Sequence, residues 1–272
     1  MNFPFDQFKH DAEDYMSVNA LALVHAAKLA YENKAKVTSK AQSWGFTNVY
    51  FVDNADTSTQ AFVACNDKYA VVAFRGTQEI TDVWTDLNIT TVPGLGGEVH
   101  KGFWDSLDSI WTEIDDTMQK CCSKGRPIWF TGHSLGGALA TLAADRFFPR
   151  VRNKPRGIYT FGSPRCGNKG FADAYNNKFL NSTFRFVNNN DLVTRVPPRS
   201  MGYRDVGTLR YFDAIGQLHG NLSIWDSFLD KLQGRIESAL SLRGLDEAED
   251  HHMKYYMKLI QDHVYNNTKV IQ

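Results

Sequence analysis

The sequence predicts an α/β fold: a mostly parallel central sheet with an antiparallel N-terminal part and helices on both faces. Three observations carry this expectation. Short β-branched and aromatic runs at 48–53, 60–66 and 69–74 are separated by loops too short for a crossover, so these strands must pair antiparallel. From residue 105 onward, strand-length apolar runs alternate with helix-length stretches, the order of a parallel sheet. The chain has 272 residues, 43% hydrophobic and 22% charged, enough for one substantial core. It shows no repeat, low-complexity tract or linker, so residues 1–272 read as a single domain.

Taken in order, residues 11–32 place Tyr15, Val18, Leu21, Ala22, Val24 and Leu29 at helical intervals, an N-terminal helix packed on the sheet. Asn54-Ala55-Asp56 and Asn66-Asp67-Lys68 supply the turns between the first strands. Residues 105–122 form a helix with Leu107, Ile110, Trp111, Ile114 and Met118 on one face. Ile128 to Thr131 is a buried strand, and 135–148, rich in Ala and Leu, is a helix. A strand at 157–161, a helix at 169–179 and a strand at 183–187 continue the alternation. Residues 203–212 read as a hairpin, and 222–242 and 246–262 as amphipathic helices.

The stretch IWFTGHSLGGALATLAADRFF, residues 128–148, carries the chemistry. Strand, sharp turn with Ser134 flanked by Gly132 and Gly136, then helix, is a nucleophile elbow. The hydroxyl must stand clear on a strained turn, and a side chain at either glycine would crowd strand against helix. The helix N-terminus lies beside any oxyanion that develops there. Arg75-Gly76-Thr77 ends the preceding strand, which makes Thr77 a candidate oxyanion donor. Asp191, in the loop after strand 183–187, stands where a triad acid would. Asn and Asp are also common turn residues, so position alone leaves Asp191 open. The base must lie downstream, at His219, His251, His252 or His263.

Lysine plus arginine and aspartate plus glutamate balance at 30 each, so nothing indicates a nucleic-acid partner or an anionic surface. The aromatic fraction of 13% suits an apolar pocket or simply core. Cys65, Cys121, Cys122 and Cys166 show neither metal-ligand spacing nor a disulfide framework and are read as free. The first residues lack a basic start followed by an apolar run, so no signal peptide is expected. The apolar stretch 18–30, interrupted by His25 and Lys28, is too short for a transmembrane segment. The chain is expected to be soluble, secreted if a leader preceded it and otherwise cytoplasmic. Asn-x-Ser/Thr tripeptides at Asn88, Asn181, Asn221 and Asn266 are common enough by chance to carry nothing.

The stretches VVAFRGT (71–77), VHKGFWDSL (99–107), TGHSLGGALA (131–140), FGSPRCGN (161–168), NNDLVTRVP (189–197) and DHHMKYY (250–256) together resemble the class 3 lipases. These are α/β-hydrolases that include the fungal triacylglycerol lipases. The resemblance implies Ser134 as nucleophile, Asp191 as acid, and Thr77 with the Leu135 N–H as oxyanion donors. Its Asp-His-x-Met pattern selects His251 as base. His252-Met253-Lys254-Tyr255 also resembles the His-Leu-x-Tyr version of fungal members, so His252 remains the alternative. It implies hydrolysis of acylglycerol esters at a lipid–water interface, with no metal and no other cofactor. The alternatives are a phospholipase A1-like or feruloyl-type esterase, or a non-catalytic binding module on the same fold. A short helical lid is implied at about 78–94. There Ile80, Val83, Trp84 and Leu87 follow i, i+3, i+4, i+7 spacing. Family members often place Trp three residues before the Asp-Leu pair; here Val83 holds that place and Trp84 follows it.

Overall fold

A computed structural model describes residues 4–77, 90–122, 125–150, 154–189, 191–220 and 251–269. After two helices, α1 (Ser17–Leu29) and α2 (Lys34–Ser43), come strands β1 (Asn48–Asn54), β2 (Thr59–Cys65) and β3 (Ala70–Phe74). Two short strands follow, β4 (Thr91–Pro93) and β5 (Glu98–His100), then α3 (Lys101–Cys122), β6 (Ile128–His133) and α4 (Leu135–Phe147). The chain continues through β7 (Gly157–Phe161), β8 (Gly167–Asn168), α5 (Lys169–Phe179) and β9 (Thr183–Asn188). It closes with β10 (Tyr203–Arg204), β11 (Thr208–Phe212), β12 (Leu218–His219) and α6 (Met253–Lys269).

The main sheet is eight-stranded, in the order β1-β2-β3-β6-β7-β9-β11-β12. β1, β2 and β3 pair antiparallel; from β3 through β6, β7 and β9 to β11 every pairing is parallel. Successive side chains on a strand face opposite ways, and both faces here are buried. Ile128 and Phe130 join Val63, Val72, Phe74 and Ile158 in a core under α3, α4 and α5. Trp129 joins Phe62, Val71, Tyr159, Phe161 and Phe186 in a second core under α1, α2 and α6. Burial on both faces is why these strands read as continuous apolar runs rather than alternating ones. The aromatics mostly fill the second core, where Phe8 sits 5.0 Å from Trp129 and 4.9 Å from Tyr69, centroid to centroid.

Three expectations need correction, and one helix was not expected. Tyr203 and Arg204 belong not to a hairpin with 208–212 but to a small second sheet, β10-β8-β5-β4; the hairpin is β11 with β12. Two-residue strands in a separate layer leave no periodicity to read. The stretch after the N-terminal helix contains α2, whose N-cap Asn33 accepts from the Lys36 N–H at 3.0 Å. The proposed lid cannot extend to residue 94, because Thr91, Val92 and Pro93 pair with β5. Ile80, Val83, Trp84 and Leu87 lie outside the described residues, as do 222–242. Finally, Cys65 and Cys121 form a disulfide with Cα atoms 6.0 Å apart. The packing of α3 on β2 brings these residues together across 56 positions of sequence. Closing a loop of that length stabilises by about 4 kcal/mol in the chain-entropy account. Cys122 and Cys166 are free. No helix among the described residues is long and apolar enough to cross a membrane.

Candidate active site

β6 ends at His133 and α4 begins at Leu135, so Ser134 alone makes the turn, at φ 57° and ψ −132°. A non-glycine residue there stores roughly 1–3 kcal/mol of strain, and two backbone bonds hold it. The Ser134 N–H donates to the Phe161 carbonyl at 3.0 Å, and the Gly137 N–H to the Ser134 carbonyl at 2.9 Å. A Cβ on Gly132 would collide with the Gly136 carbonyl, and one on Gly136 with the Phe74 carbonyl. Both glycines are therefore required by close backbone approach. Ser134 is 1% exposed.

Asp191 and His251 meet at the same end of the sheet, both fully buried. His251 Nδ1 lies 2.9 Å from both carboxylate oxygens of Asp191. A carboxylate only accepts, so Nδ1 carries the proton and Nε2 presents its lone pair. Nε2 is buried with no hydrogen-bond partner among the described residues. Two further donors hold Asp191: the Val193 N–H reaches Oδ1 at 2.9 Å, and the Tyr256 hydroxyl reaches Oδ2 at 2.6 Å. That hydroxyl in turn accepts from the Asn188 N–H at 3.0 Å. Gly162, at φ 59°, packs against the pair; a Cβ there would lie 2.8 Å from Asp191 Oδ2 and 3.0 Å from His251 Nδ1.

Among the downstream histidines, His251 alone is placed on Asp191. His252 is exposed, as expected when the neighbouring residue faces inward. His219 Nε2 lies 2.8 Å from Asp213 Oδ2, and His263 sits half-buried on α6. Thr77 follows β3, which runs parallel to β6 with Phe74 opposite Gly132, so it emerges at the end of the sheet where Ser134 stands. Leu135 is the first residue of α4, and its N–H has no acceptor one turn back in the helix.

Residues 71–201 match the family model for lipase (class 3), a span that includes Thr77, Ser134, Leu135 and Asp191. Over that span the chain is similar to the class 3 lipases. It is 32% identical to a secreted mono- and diacylglycerol lipase of Fusarium solani, over 58% of this chain and 48% of that protein. It is 34% identical to a lipase of Rhizomucor miehei, over 55% of this chain and 44% of that protein. The chain thus spans about half the length of the curated relatives it matches. The structure superposes on a triacylglycerol lipase described as having a serine-protease triad at its catalytic centre. That match has TM-score 0.66 and 24% identity, covering 78% of this chain and 89% of the other. The fold of the chain is accordingly that of these lipases, the α/β-hydrolase fold.

Sequence reasoning alone missed Tyr256, Gly162, Tyr31 and His133 as parts of the site. Tyr256 lies within DHHMKYY and Gly162 within FGSPRCGN, but neither stretch reveals what the side chain or the missing one touches. Tyr31 closes the α1 region and meets His133 only through the tertiary fold, Oη to Nδ1 at 2.8 Å.

Proposed function

We propose that the chain is a serine esterase that cleaves carboxylic esters of acylglycerols, as a triacylglycerol lipase does, through an acyl-enzyme. The observation that carries the reading is a strained, buried Ser134 whose preceding residue, His133, is bonded to the backbone of a buried His251, itself committed through Nδ1–H to Asp191. In the first half-reaction, Ser134 Oγ attacks the ester carbonyl while His251 Nε2 takes its proton. The oxyanion that forms is met by donors at Thr77 and the Leu135 N–H, each such donor contributing roughly 3 kcal/mol. Collapse expels the alcohol, which leaves with the proton from His251 Nε2. Water then attacks the acyl-enzyme, gives its proton to Nε2 and releases the acid, returning the proton to Ser134. Asp191 holds the imidazole in the required tautomer and offsets its charge.

Similarity to mono-, di- and triacylglycerol lipases favours acylglycerols over other esters. The alternatives are a phospholipase A1-like or feruloyl-type substrate and a non-catalytic binding module. Residues 78–90 serve as the lid, and their apolar positions Ile80, Val83, Trp84 and Leu87 would be transferred to a lipid surface on opening. Each Å² spared from water is worth about 25 cal/mol. The Cys65–Cys121 disulfide suits an oxidising compartment.

The test is covalent titration with a serine-directed organophosphonate, followed by a hydrolysis profile over p-nitrophenyl esters, tri-, di- and monoacylglycerol emulsions, phospholipid and feruloyl esters. One label on Ser134 with fastest turnover on acylglycerols is expected. No label would leave the binding module, and preference for phospholipid or feruloyl ester would replace the substrate class. Rate against short-chain triacylglycerol concentration should rise steeply at the solubility limit. A smooth hyperbola through that limit would remove the lid.

A further inference from the structure

His133 and Tyr31 lie outside the acid–base pair, yet they connect its backbone to the elbow. His133 Nε2 is 2.7 Å from the backbone carbonyl oxygen of His251, and His133 Nδ1 is 2.8 Å from Tyr31 Oη. A carbonyl can only accept, so Nε2 carries the proton and Nδ1 accepts from the Tyr31 hydroxyl. The two imidazoles are also in contact, with ring centroids 4.6 Å apart. Tyr31 reaches a third segment: a Cβ on Gly76 would run into Tyr31 Oη, the His133 carbonyl and Ser134 Cβ. The hydroxyl therefore packs against the backbone that leads into Thr77.

Burial holds His133 far below the ordinary histidine range, and the neighbouring His251 pushes the same way. Burial also raises the Tyr31 hydroxyl above its ordinary range, partly offset by Arg75 and by the Gly76 N–H. Both groups stay neutral across the working pH. A neutral His133 adds no repulsion when His251 becomes an imidazolium.

A buried histidine with both nitrogens satisfied is ordinarily a core residue. What sets this one apart is where its bonds go. The residue next to the candidate nucleophile grips the main chain of the candidate base, and its other nitrogen is held by a side chain lodged beside the oxyanion segment.

The geometry points to Tyr31 and His133 as positioning residues that hold oxyanion segment, nucleophile and base in one register. This rests on the esterase reading above. Asp191 orients the His251 ring; the Tyr31–His133 pair fixes where that ring is anchored. Misplacement of a base by a fraction of an ångström lowers turnover without weakening substrate binding.

The test uses the full chain with Tyr31→Phe, His133→Ala and His133→Gln, the last retaining a side-chain N–H donor. Active sites are counted by organophosphonate titration, and kcat and KM per titrated site are measured on a soluble p-nitrophenyl ester. Expected are a fall in per-site kcat of about 10- to 100-fold for Tyr31→Phe and His133→Ala, KM within about twofold, and partial recovery in His133→Gln. If His133→Ala fails to fold, Tyr31→Phe, which removes one oxygen, still decides. Per-site kcat within about twofold of wild type, or a loss confined to the number of titratable sites or to KM, would overturn the inference. A wild-type chain that neither titrates nor hydrolyses any ester would instead sink the esterase reading, and this inference with it.

Discussion

The elbow and the proposed acid–base side of the site are built in opposite ways. The elbow is continuous in sequence: β6, Ser134 and α4 span residues 128–147, and its geometry follows from backbone approach at Gly132 and Gly136. The acid–base side is assembled from distant pieces, with Asp191 and His251 60 residues apart and joined by side-chain bonds. A nucleophile needs only a strained turn, which local bonding can supply. An acid–base pair needs relative orientation, which here depends on Val193, Tyr256 and Gly162 together. Damage to the elbow should therefore be sharp and confined, while damage on the other side should be graded according to how many bonds remain.

The largest expected effect is on the elbow. Ser134→Ala should lower turnover by about a millionfold with little change in stability, since one small hydroxyl is lost. Wild-type-like rates in a preparation free of contaminating esterase would end the assignment. His251→Ala should match it, because the pair acts as a unit, whereas His252→Ala should retain most activity. His252 lies at the bend before α6 and is exposed, while His251 is fully buried on Asp191. Reversal of that order would move the base to His252.

Grading begins with Asp191→Asn. The carboxamide keeps the shape but disturbs tautomer and charge, so turnover should fall by about 10⁴. Near-normal kcat would send the search to another carboxylate. Tyr256→Phe removes one of the donors on Asp191 and leaves the Val193 N–H and His251 in place. Loss of that one charge-assisted bond should reduce kcat by roughly tenfold, corresponding to about 1.5 kcal/mol. A loss as deep as that of Asp191→Asn would show that the acid depends on Tyr256 alone.

The smallest effect concerns stability rather than rate. His25 and His100 are each pushed down to about 4, chiefly by burial, and His133 lies well below its ordinary value. In the unfolded chain these imidazoles take up protons near pH 6.5 while the folded state holds them neutral. Their contribution is thus fully present above about pH 6.5 and is lost as pH falls toward the folded values. Urea midpoints should fall between pH 6.5 and 4. His100→Gln should flatten that decline by up to about 1.4 kcal/mol per pH unit. An unchanged slope would mean that His100 titrates normally in the fold.

What the sequence determined by itself is the part of this protein built from consecutive residues. Strand, glycine, serine, glycine and helix within 128–148 state the elbow, because each constraint acts between neighbours in the chain. The antiparallel start followed by parallel strands was equally legible, since loop length and two-sided burial leave direct traces in residue type. Tertiary structure decided whatever depends on how remote segments rotate against one another. It separated His251 from His252, which one residue pattern could not do, because only the bend that leads into α6 decides which of two adjacent side chains faces Asp191. It joined Cys65 to Cys121, set Tyr256 on Asp191 and Tyr31 on His133, and moved Tyr203 into a second sheet. Those partners lie tens to more than a hundred positions apart, where no local periodicity connects them and only the packing of helices on the sheet brings them within bonding distance.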